Sequence, residues 1–320
     1  MKAILVAEFG GPEVLKLNEI PTPKPEAGQV LINVHAVGVN PYDTHMRSGT
    51  YAIKPPLPYT PGSDAAGVVE AVGSGVKNLK PGDRVYTAKT ITGAYAEYTL
   101  TLESQAQKLP DNISFEQGAG VWVPYGTAYH AIHHEAKVRA SETVLVHGAS
   151  GGVGSAAVQM LHAMGATIFG TASTDAGRDL IKREGAAQAF DHTKPGYTDE
   201  LMKASGGRGV DVILEMLANV NLAQDLKMLA QYGRVIVIGN RGDVTINARD
   251  IMARRSSVRG FTLWATTEVE NADIHAGLYA GLANGTLTPI VGKKIPLAEA
   301  ARAHREVMTS GAAGQIVLIP

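Results

Sequence analysis

The first third of the chain alternates short apolar runs with turn residues, which is the pattern of antiparallel strands. Such runs occupy residues 2–7, 29–39, 65–72, 84–87 and 93–100. Proline- and glycine-rich turns separate them at 21–25, 55–58 and 81–83. We therefore predict a mainly β region over residues 1 to about 122.

From Pro124 the pattern changes to helices that alternate with buried strands. A helical stretch is predicted at 125–134, and six apolar runs indicate strands at 143–147, 166–172, 188–191, 210–215, 234–238 and 258–263. Helical segments separate them at 155–164, 175–184, 198–204 and 222–230. Strands joined by helical crossovers predict a doubly wound parallel sheet of six strands, with ligands beyond the strand C-termini.

A further helix is predicted at 274–284, and the last strand, 314–319, again has an all-β character. We therefore expect the C-terminal tail to fold back onto the first domain. The predicted domains are 1–122 with 266–320, and 123–265, in an α/β protein.

The most informative stretch is T-V-L-V-H-G-A-S-G-G-V-G-S at 143–155, which joins a buried strand to a helix through a glycine-rich turn. Such a turn lets backbone N–H groups approach a pyrophosphate at the helix N-terminus. Ala149 stands where the usual motif has its first glycine, ahead of Gly151 and Gly154. The context favours a dinucleotide site over a tight structural turn.

Composition and charge exclude several classes of function but do not identify one. The net charge is −1, so no general attraction to nucleic acid or to acidic membranes is expected. The absence of cysteine excludes disulfides, thiolate zinc sites and cysteine nucleophiles, and together with the absence of a signal-peptide pattern it favours the cytoplasm. No apolar stretch approaches the roughly 18 residues that span a bilayer.

Several strings together resemble the zeta-crystallin group of quinone reductases, within the medium-chain dehydrogenase/reductase superfamily. They are F-G-G-P-E-V-L-K-L at 9–17, G-V-N-P at 38–41, R-S-G-T-Y at 47–51, P-Y-T-P-G-S-D at 58–64, K-P-G-D-R-V at 80–85, G-A-Y-A-E-Y at 93–98, V-L-V-H-G-A-S-G-G-V-G at 144–154 and E-M-L-A-N-V-N-L at 215–222. The resemblance implies a GroES-like catalytic domain joined to a Rossmann domain, NADPH as cofactor and quinones as substrates.

Zinc-dependent members of the superfamily need a cysteine near Asn40 and a G-H-E motif. This chain has Gly62, Ser63 and Asp64 in the place of that motif, and its ten histidines are mostly scattered. A catalytic zinc needs three protein ligands, so we predict no metal in catalysis.

Cofactor choice depends on the end of the second strand, where NAD-preferring sites carry an acid for the ribose 2′-hydroxyl. Here residues 171–174 are Thr-Ala-Ser-Thr, with no acid before Asp175. Arg178 lies one helical turn on and is predicted to meet a 2′-phosphate, against the alternative of a solvated helix charge. Arg241, after the fifth strand, is predicted to lie at the cofactor edge.

The resemblance assigns further residues. The residues predicted along the cofactor, from the patterns above and from the resemblance together, are His45, Thr127, Ser150, Gly151, Gly152, Val153, Ser173, Arg178, His192, Asn221, Ile238, Gly239, Asn240, Arg241, Phe261, Thr262 and Leu263. Substrate-pocket candidates are Asn40, Tyr42, Tyr51 and Tyr125, with no residue assigned as a certain catalytic acid. Asn40, Tyr42, His45 and Tyr51 are expected to share one loop that faces the nicotinamide, and the resemblance places Asn221 in a loop that crosses the cofactor. Many relatives have Tyr at the position of His45.

Two other functions stay open. One is reduction of the activated double bond of an alkenal or enone, which the same hydride geometry would serve. The other is a non-enzymatic, crystallin-like structural or RNA-binding role, supported only by the basic cluster Arg254, Arg255 and Arg259. We also expect a dimer or tetramer built by pairing Rossmann sheet edges, because the strands 234–238 and 258–263 lie at one end of the expected sheet.

Overall fold

The computed structural model describes residues 1–311 and 313–320. These residues form two compact units, Met1–Val123 with Tyr279–Pro320, and Pro124–Leu278. The predicted domain limits differ from these units mainly at the last boundary. As limits of separately folding domains they stay a prediction.

The N-terminal part of the chain is mainly β, as predicted. Its strands are β1 (Lys2–Leu5), β2 (Lys16–Glu19), β3 (Gln29–Val39), β4 (Ala65–Val72), β5 (Arg84–Thr87), β6 (Tyr98–Leu102) and β7 (Ala106–Lys108). Its helices are α1 (Pro41–Ser48) and α2 (Phe115–Gly118), with short 3-10 turns at Pro12–Val14 and Glu103–Gln105. The predicted strand at 93–100 was wrong in its first half, since β6 begins only at Tyr98.

The middle of the chain alternates helices and strands. Its strands are β8 (Thr143–Val146), β9 (Thr167–Thr171), β10 (Gln188–Phe190), β11 (Val210–Glu215), β12 (Leu229–Val237) and β13 (Ser257–Gly260). Its helices are α3 (Thr127–Tyr129), α4 (Gly152–Met164), α5 (Asp175–Arg183), α6 (Tyr197–Ala204), α7 (Ala218–Met228), α8 (Ala248–Arg254) and α9 (Glu268–Ala283). The π-helical segments Val121–Gly126 and His130–Ala136 flank α3.

The C-terminal elements are β14 (Val291–Pro296), α10 (Ala300–Glu306) and β15 (Gln315–Ile319), with a 3-10 turn at Leu297–Glu299. Strand β15 pairs antiparallel with β3 and parallel with β14. The tail therefore returns to the N-terminal sheet, as the pattern predicted.

Strands β8 to β13 form one parallel sheet in the order β10-β9-β8-β11-β12-β13. This is the doubly wound order 3-2-1-4-5-6, in which strand order reverses between β8 and β11. The β-rich unit holds a seven-stranded sheet in the order β14-β15-β3-β4-β5-β7 with β6 beside β3, and the separate pair β1-β2. The predicted α/β class and six-stranded parallel sheet are confirmed.

Each unit has its own apolar core. In the parallel sheet Leu145, Ile213 and Val235 are fully buried and pack with Phe169 and Leu226. Strands buried on both faces explain why these runs are apolar at almost every position.

Three local predictions were wrong. Tyr42 and His45 lie on helix α1 rather than in a loop, because Pro41 starts a helix that Asn40 precedes. Asn221 lies in α7, not in a loop. Strand β13 ends at Gly260, so Phe261 and Thr262 follow it and Leu263 starts a 3-10 turn. Among the described residues, no helix is both long and apolar enough to cross a membrane.

Candidate active site and cofactor edge

Asn40 is buried at the start of α1, in contact with two carboxyl groups. Its backbone N–H donates to Oδ2 of Asp43 at 2.9 Å, and its Nδ2 donates to Oδ2 of Asp64 at 3.0 Å. Its Oδ1 accepts a hydrogen bond from Nε2 of Gln315 at 3.2 Å. Both ends of the amide are engaged, so the orientation of this side chain is fixed by its neighbours.

The two carboxyl groups were missed by sequence reasoning as parts of this site. Burial raises the pKa of Asp43 to about 7, against the opposing hydrogen bond from the Asn40 backbone. Burial also raises the pKa of Asp64 well above its ordinary value, and its Oδ1 has no hydrogen-bond partner among the described residues. Acids in polar stretches give no periodic signal, so only the fold shows that they are buried.

Tyr42 is a predicted pocket residue whose hydroxyl lies against a serine. Its oxygen lies 2.5 Å from Oγ of Ser63, and its ring lies 6.1 Å from the ring of Tyr51. Burial raises the pKa of Tyr42 well above its ordinary value. The Nδ1 of His45 lies 3.5 Å from Oγ1 of Thr50, close to Tyr51 in sequence. Asn40, Tyr42, His45 and Tyr51 thus belong to one short segment, whose substrate role stays a prediction.

A histidine and a second tyrosine complete the buried polar group of this unit. The hydroxyl of Tyr95 lies 3.0 Å from Nε2 of His304 and 3.4 Å from Oδ2 of Asp43. Burial lowers the pKa of His304 to about 3. The imidazole is therefore neutral at physiological pH.

In the parallel-sheet unit, the glycine-rich turn has the geometry that close approach of a phosphate requires. Gly148 has φ +55°, and its N–H donates to Oγ1 of Thr171 at 3.1 Å. A Cβ on Gly154 would lie 2.3 Å from the carbonyl oxygen of Gly148, so only glycine lets α4 pack this closely on the turn. Ala149 is fully buried, and its N–H donates to the carbonyl of Thr171 at 2.9 Å.

Helix α4 starts at Gly152 with Gly151 as its N-cap, and no side chain caps it. The first turn of a helix leaves backbone N–H groups without intrahelical partners and carries partial positive charge. The predicted cofactor residues of the turn, Ser150 to Val153, are thus at a helix end suited to a diphosphate.

At the end of β9 the structure gives Arg178 two carboxylate partners. Its Nη1 lies 3.1 Å from Oδ2 of Asp191 and donates to the carbonyl of Ala172 at 3.1 Å, while Nη2 pairs with Asp175. Ser173 is partly buried. A 2′-phosphate would therefore have to join or displace an existing ion pair, which the sequence did not reveal. His192, next to Asp191, is exposed.

The remaining predicted residues on the far half of the sheet lie around the ends of β11 and β12. Asn221 donates from Nδ2 to Oε1 of Glu215 at 3.0 Å. The N–H groups of Ile238 and Gly239 donate to the carbonyl of Glu215 at 2.8 and 3.2 Å. A Cβ on Gly239 would lie 2.2 Å from the carbonyl oxygen of Met216, so glycine is needed there. Asn240 and Arg241 follow, and both are exposed.

Tyr125 and Thr127 are buried in the helical segment ahead of β8. The Tyr125 hydroxyl donates to Oε1 of Gln159 at 2.9 Å, which favours a packing role over a substrate contact. The Phe261 ring lies 4.6 Å from the His130 ring. Leu263 is buried, whereas Thr262 is exposed.

A buried charged network lies directly beside the glycine-rich turn. The Nε2 of His147 lies 2.8 Å from Oδ1 of Asp225 and 3.4 Å from Oε2 of Glu215. Burial raises the pKa of Glu215 to about 7 although the His147 charge opposes it, whereas the two carboxylates hold the pKa of His147 above its ordinary value against its own burial. Glu215 also accepts from the Leu217 N–H and from Nδ2 of Asn221, so this network ties β8 to the start of α7.

Comparison with known proteins decides the family. Residues 26–111 match the model of the alcohol dehydrogenase GroES-like domain, and residues 152–275 match that of the zinc-binding dehydrogenases. The chain is 51% identical to a quinone oxidoreductase of Homo sapiens, over 100% of this chain and 98% of that protein. The chain belongs to the quinone oxidoreductase family. This places it in the medium-chain dehydrogenase/reductase superfamily and confirms the resemblance seen in the sequence.

Solved structures of related proteins have the same fold as this chain. The Escherichia coli quinone oxidoreductase complexed with NADPH has a TM-score of 0.90 and 32% identity, with 100% of both chains covered. An NAD-dependent alcohol dehydrogenase has a TM-score of 0.93 and 28% identity, also with full coverage of both. The GroES-like and Rossmann architecture is thereby confirmed. The fold alone does not distinguish NADPH from NAD, because one of these proteins is described with each cofactor.

One of the matching family models is described as zinc-binding, but the residues of this chain at the catalytic zinc position do not form a zinc site. At Asn40 and Asp64 the chain offers an amide and a carboxyl group that hydrogen-bond to each other, and the amide oxygen is taken by Gln315. Zinc sites use three protein ligands drawn from thiolate, imidazole and carboxylate, and this sequence has no cysteine.

Proposed function

We propose that this chain is an NADPH-dependent quinone reductase that transfers hydride from the nicotinamide without a metal ion. The observation that carries the proposal is the turn between β8 and α4, where Gly148 and Gly154 bring the backbone close to an uncapped helix N-terminus. Membership of the quinone oxidoreductase family supports the choice of electron acceptor.

NADPH rather than NADH is supported by the residues that follow β9. A carboxylate there would bind the ribose 2′-hydroxyl of NADH and repel a 2′-phosphate. The chain has Ala172, Ser173 and Thr174 instead, with Arg178 on the next helix. The guanidinium offers five N–H donors, so it can exchange a carboxylate partner for a phosphate.

Hydride transfer to a quinone requires the chain mainly to hold the nicotinamide and the substrate in the correct orientation. The bound nicotinamide supplies the hydride, and effective molarity from correct orientation provides much of the acceleration. Asn40 is held rigidly by Asp64 and Gln315, and the Tyr42 hydroxyl is held by Ser63. These groups can orient a quinone carbonyl, and its oxygens can take protons from a tyrosine hydroxyl or from solvent.

A steady-state screen tests this function. NADPH and NADH are each assayed with naphthoquinones and with alkenals, and oxidation of the reduced nicotinamide is followed by absorbance. We expect turnover of quinones with NADPH to exceed every other pair. Faster turnover of alkenals would assign the double-bond reductase instead, and no turnover of either class would contradict an enzymatic role.

The RNA-binding alternative gains no support from the basic cluster. Arg254 donates to the carbonyls of Leu229 and Lys227, Arg255 stacks on the ring of Tyr232, and Arg259 donates to the carbonyl of Glu135. Groups engaged within the chain are poor candidates for a phosphate-binding surface. A gel shift that weakens with salt would revive this alternative. The cytoplasmic location, supported by the cysteine-free sequence, belongs to the same proposal and is open to test by fractionation.

A further inference from the structure

Two histidines of the segment His130–Ala136 lie beside an acidic residue of helix α9. The potential ligand atoms of His130, His134 and Glu270 all lie within 4.8 Å of one another. The two imidazole rings are stacked, with centroids 5.0 Å apart. Imidazole and carboxylate are the ligands that zinc and its neighbours in the transition series bind in proteins.

We propose that His130, His134 and Glu270 form a binding site for a divalent transition-metal ion of the zinc class. The site is distinct from the catalytic zinc of the superfamily, whose counterpart here would lie at Asn40 and Asp64. It is independent of the proposed reductase function, because none of its three residues belongs to the predicted substrate or cofactor sites.

The geometry is close to that of a bound ion. Zinc bonds of about 2.0–2.2 Å place tetrahedral ligand atoms roughly 3.4 Å apart. Side-chain rotations that move the three ligand atoms about an ångström closer together would give this spacing. His134 and Glu270 are only partly buried, which gives an ion access from solvent.

The first reason to assign a ligand here is an unused buried nitrogen. His130 is 4% exposed, and its Nδ1 is buried without a hydrogen-bond partner among the described residues. Its Nε2 lies 3.5 Å from Oε1 of Glu135. A buried polar atom without a partner costs free energy, and a metal ion would satisfy it.

The second reason is the arrangement of groups around the three ligands. Oε2 of Glu270 accepts from the N–H and the hydroxyl of Thr267 at 2.8 and 2.9 Å, which orients the carboxylate. Oδ2 of Asp273 lies 3.0 Å from Nε2 of His134 and accepts from the Tyr129 hydroxyl at 3.3 Å. A carboxylate beside a ligating histidine is typical of protein metal sites.

The test is direct metal binding by the full chain. After dialysis against a chelator and then chelator-free buffer, the protein is titrated with zinc by calorimetry and with cobalt by visible absorption. We expect one saturable equivalent in the wild type and a melting temperature that rises with zinc. No saturable binding would overturn the proposal.

Three variants locate the ion. His134→Ala and Glu270→Gln change partly exposed residues and should each weaken zinc binding at least about tenfold, with loss of the thermal shift. His133→Ala is the matched control, because His133 neighbours the site in sequence and packs its ring 4.3 Å from that of Tyr129. Equal affinity in the wild type and both site variants would place the ion on other histidines and overturn the assignment.

Discussion

The imidazole Nε2 of His147 lies 2.8 Å from Oδ1 of Asp225, although the two residues are 78 positions apart in the sequence. Both side chains are buried, and Glu215 completes the group. Two buried carboxyl groups therefore share one imidazole directly before the glycine-rich turn. His147 is the basic side chain of this group, so its removal leaves two buried acids facing each other.

We predict that His147→Gln lowers the free energy of unfolding by about 3–5 kcal/mol, the range for breaking a buried ion pair from one side. Urea unfolding followed by circular dichroism measures the difference. Glu299→Gln, which removes an exposed ion pair with Arg302, is the control and should change little. Equal stability of His147→Gln and the wild type would contradict the charged network.

Acid should destabilise the protein through His304. Its pKa of about 3 when folded lies below the ordinary value near 6.5 for an unfolded chain. Between these values the unfolded chain binds a proton that the folded protein does not, so stability falls as pH decreases from about 6.5 towards 3, by up to roughly 1.4 kcal/mol per pH unit. His304→Gln should have a shallower acid slope than the wild type, whereas parallel slopes would show that His304 titrates normally.

The sequence predicted the sheets better than the polar sites, for a physical reason. Strands such as Gln29–Val39 and Val210–Glu215 are buried, and their apolar runs end where the strands end. The predicted strand 258–263 extended too far, because Phe261 and Leu263 are apolar but pack against other side chains instead of continuing the strand. Helix α1 was missed because its sequence, P-Y-D-T-H-M-R-S, has no apolar stripe.

Contacts between distant polar residues had no sequence signal at all. The Asn40–Asp64 and Tyr95–His304 hydrogen bonds join positions 24 and 209 apart. Neither periodicity nor spacing reports such pairs, since each residue alone resembles an ordinary surface residue. The glycine-rich turn was predicted because its chemistry lies within one short stretch.

The cofactor preference should depend on Arg178. We expect Arg178→Ala to raise the KM for NADPH more than that for NADH, with a cost of about 1.5–3 kcal/mol if one charge-assisted contact to the 2′-phosphate is lost. Because Arg178 also binds Asp191 and Asp175, Arg178→Lys tests whether a point charge is enough. Arg183→Ala, at the end of the same helix, is the control. An unchanged ratio of the two KM values would remove Arg178 from the cofactor site.

Self-association is expected through the edge strand β13, which ends the parallel sheet beside β12. Its sequence, S-V-R-G, is less apolar than the prediction assumed, so backbone pairing must supply much of the contact. Light scattering should return a multiple of 33.6 kDa, and Ser257→Lys should lower that mass. Ser104→Lys, in the other unit, should not. A wild-type mass near 33.6 kDa at micromolar concentration would contradict the dimer or tetramer.

Catalysis should need no metal and no single protein acid. A quinone becomes an aromatic hydroquinone on reduction, so it accepts hydride readily, and orientation supplies most of the acceleration. General acid catalysis contributes roughly 10²–10⁴-fold where a reaction depends on it, so Tyr51→Phe and His45→Ala should each keep kcat within about tenfold of the wild type.

EDTA should leave the reductase rate unchanged, even if it lowers the melting temperature by removing an ion from His130, His134 and Glu270. Asn40 and Asp64 bind each other rather than presenting a ligand set, which is why the rate and the melting temperature should respond separately. A thousandfold fall in kcat for Tyr51→Phe or His45→Ala with normal NADPH binding would identify a true catalytic acid. A rate abolished by EDTA and restored by zinc would instead show that the reaction depends on a metal.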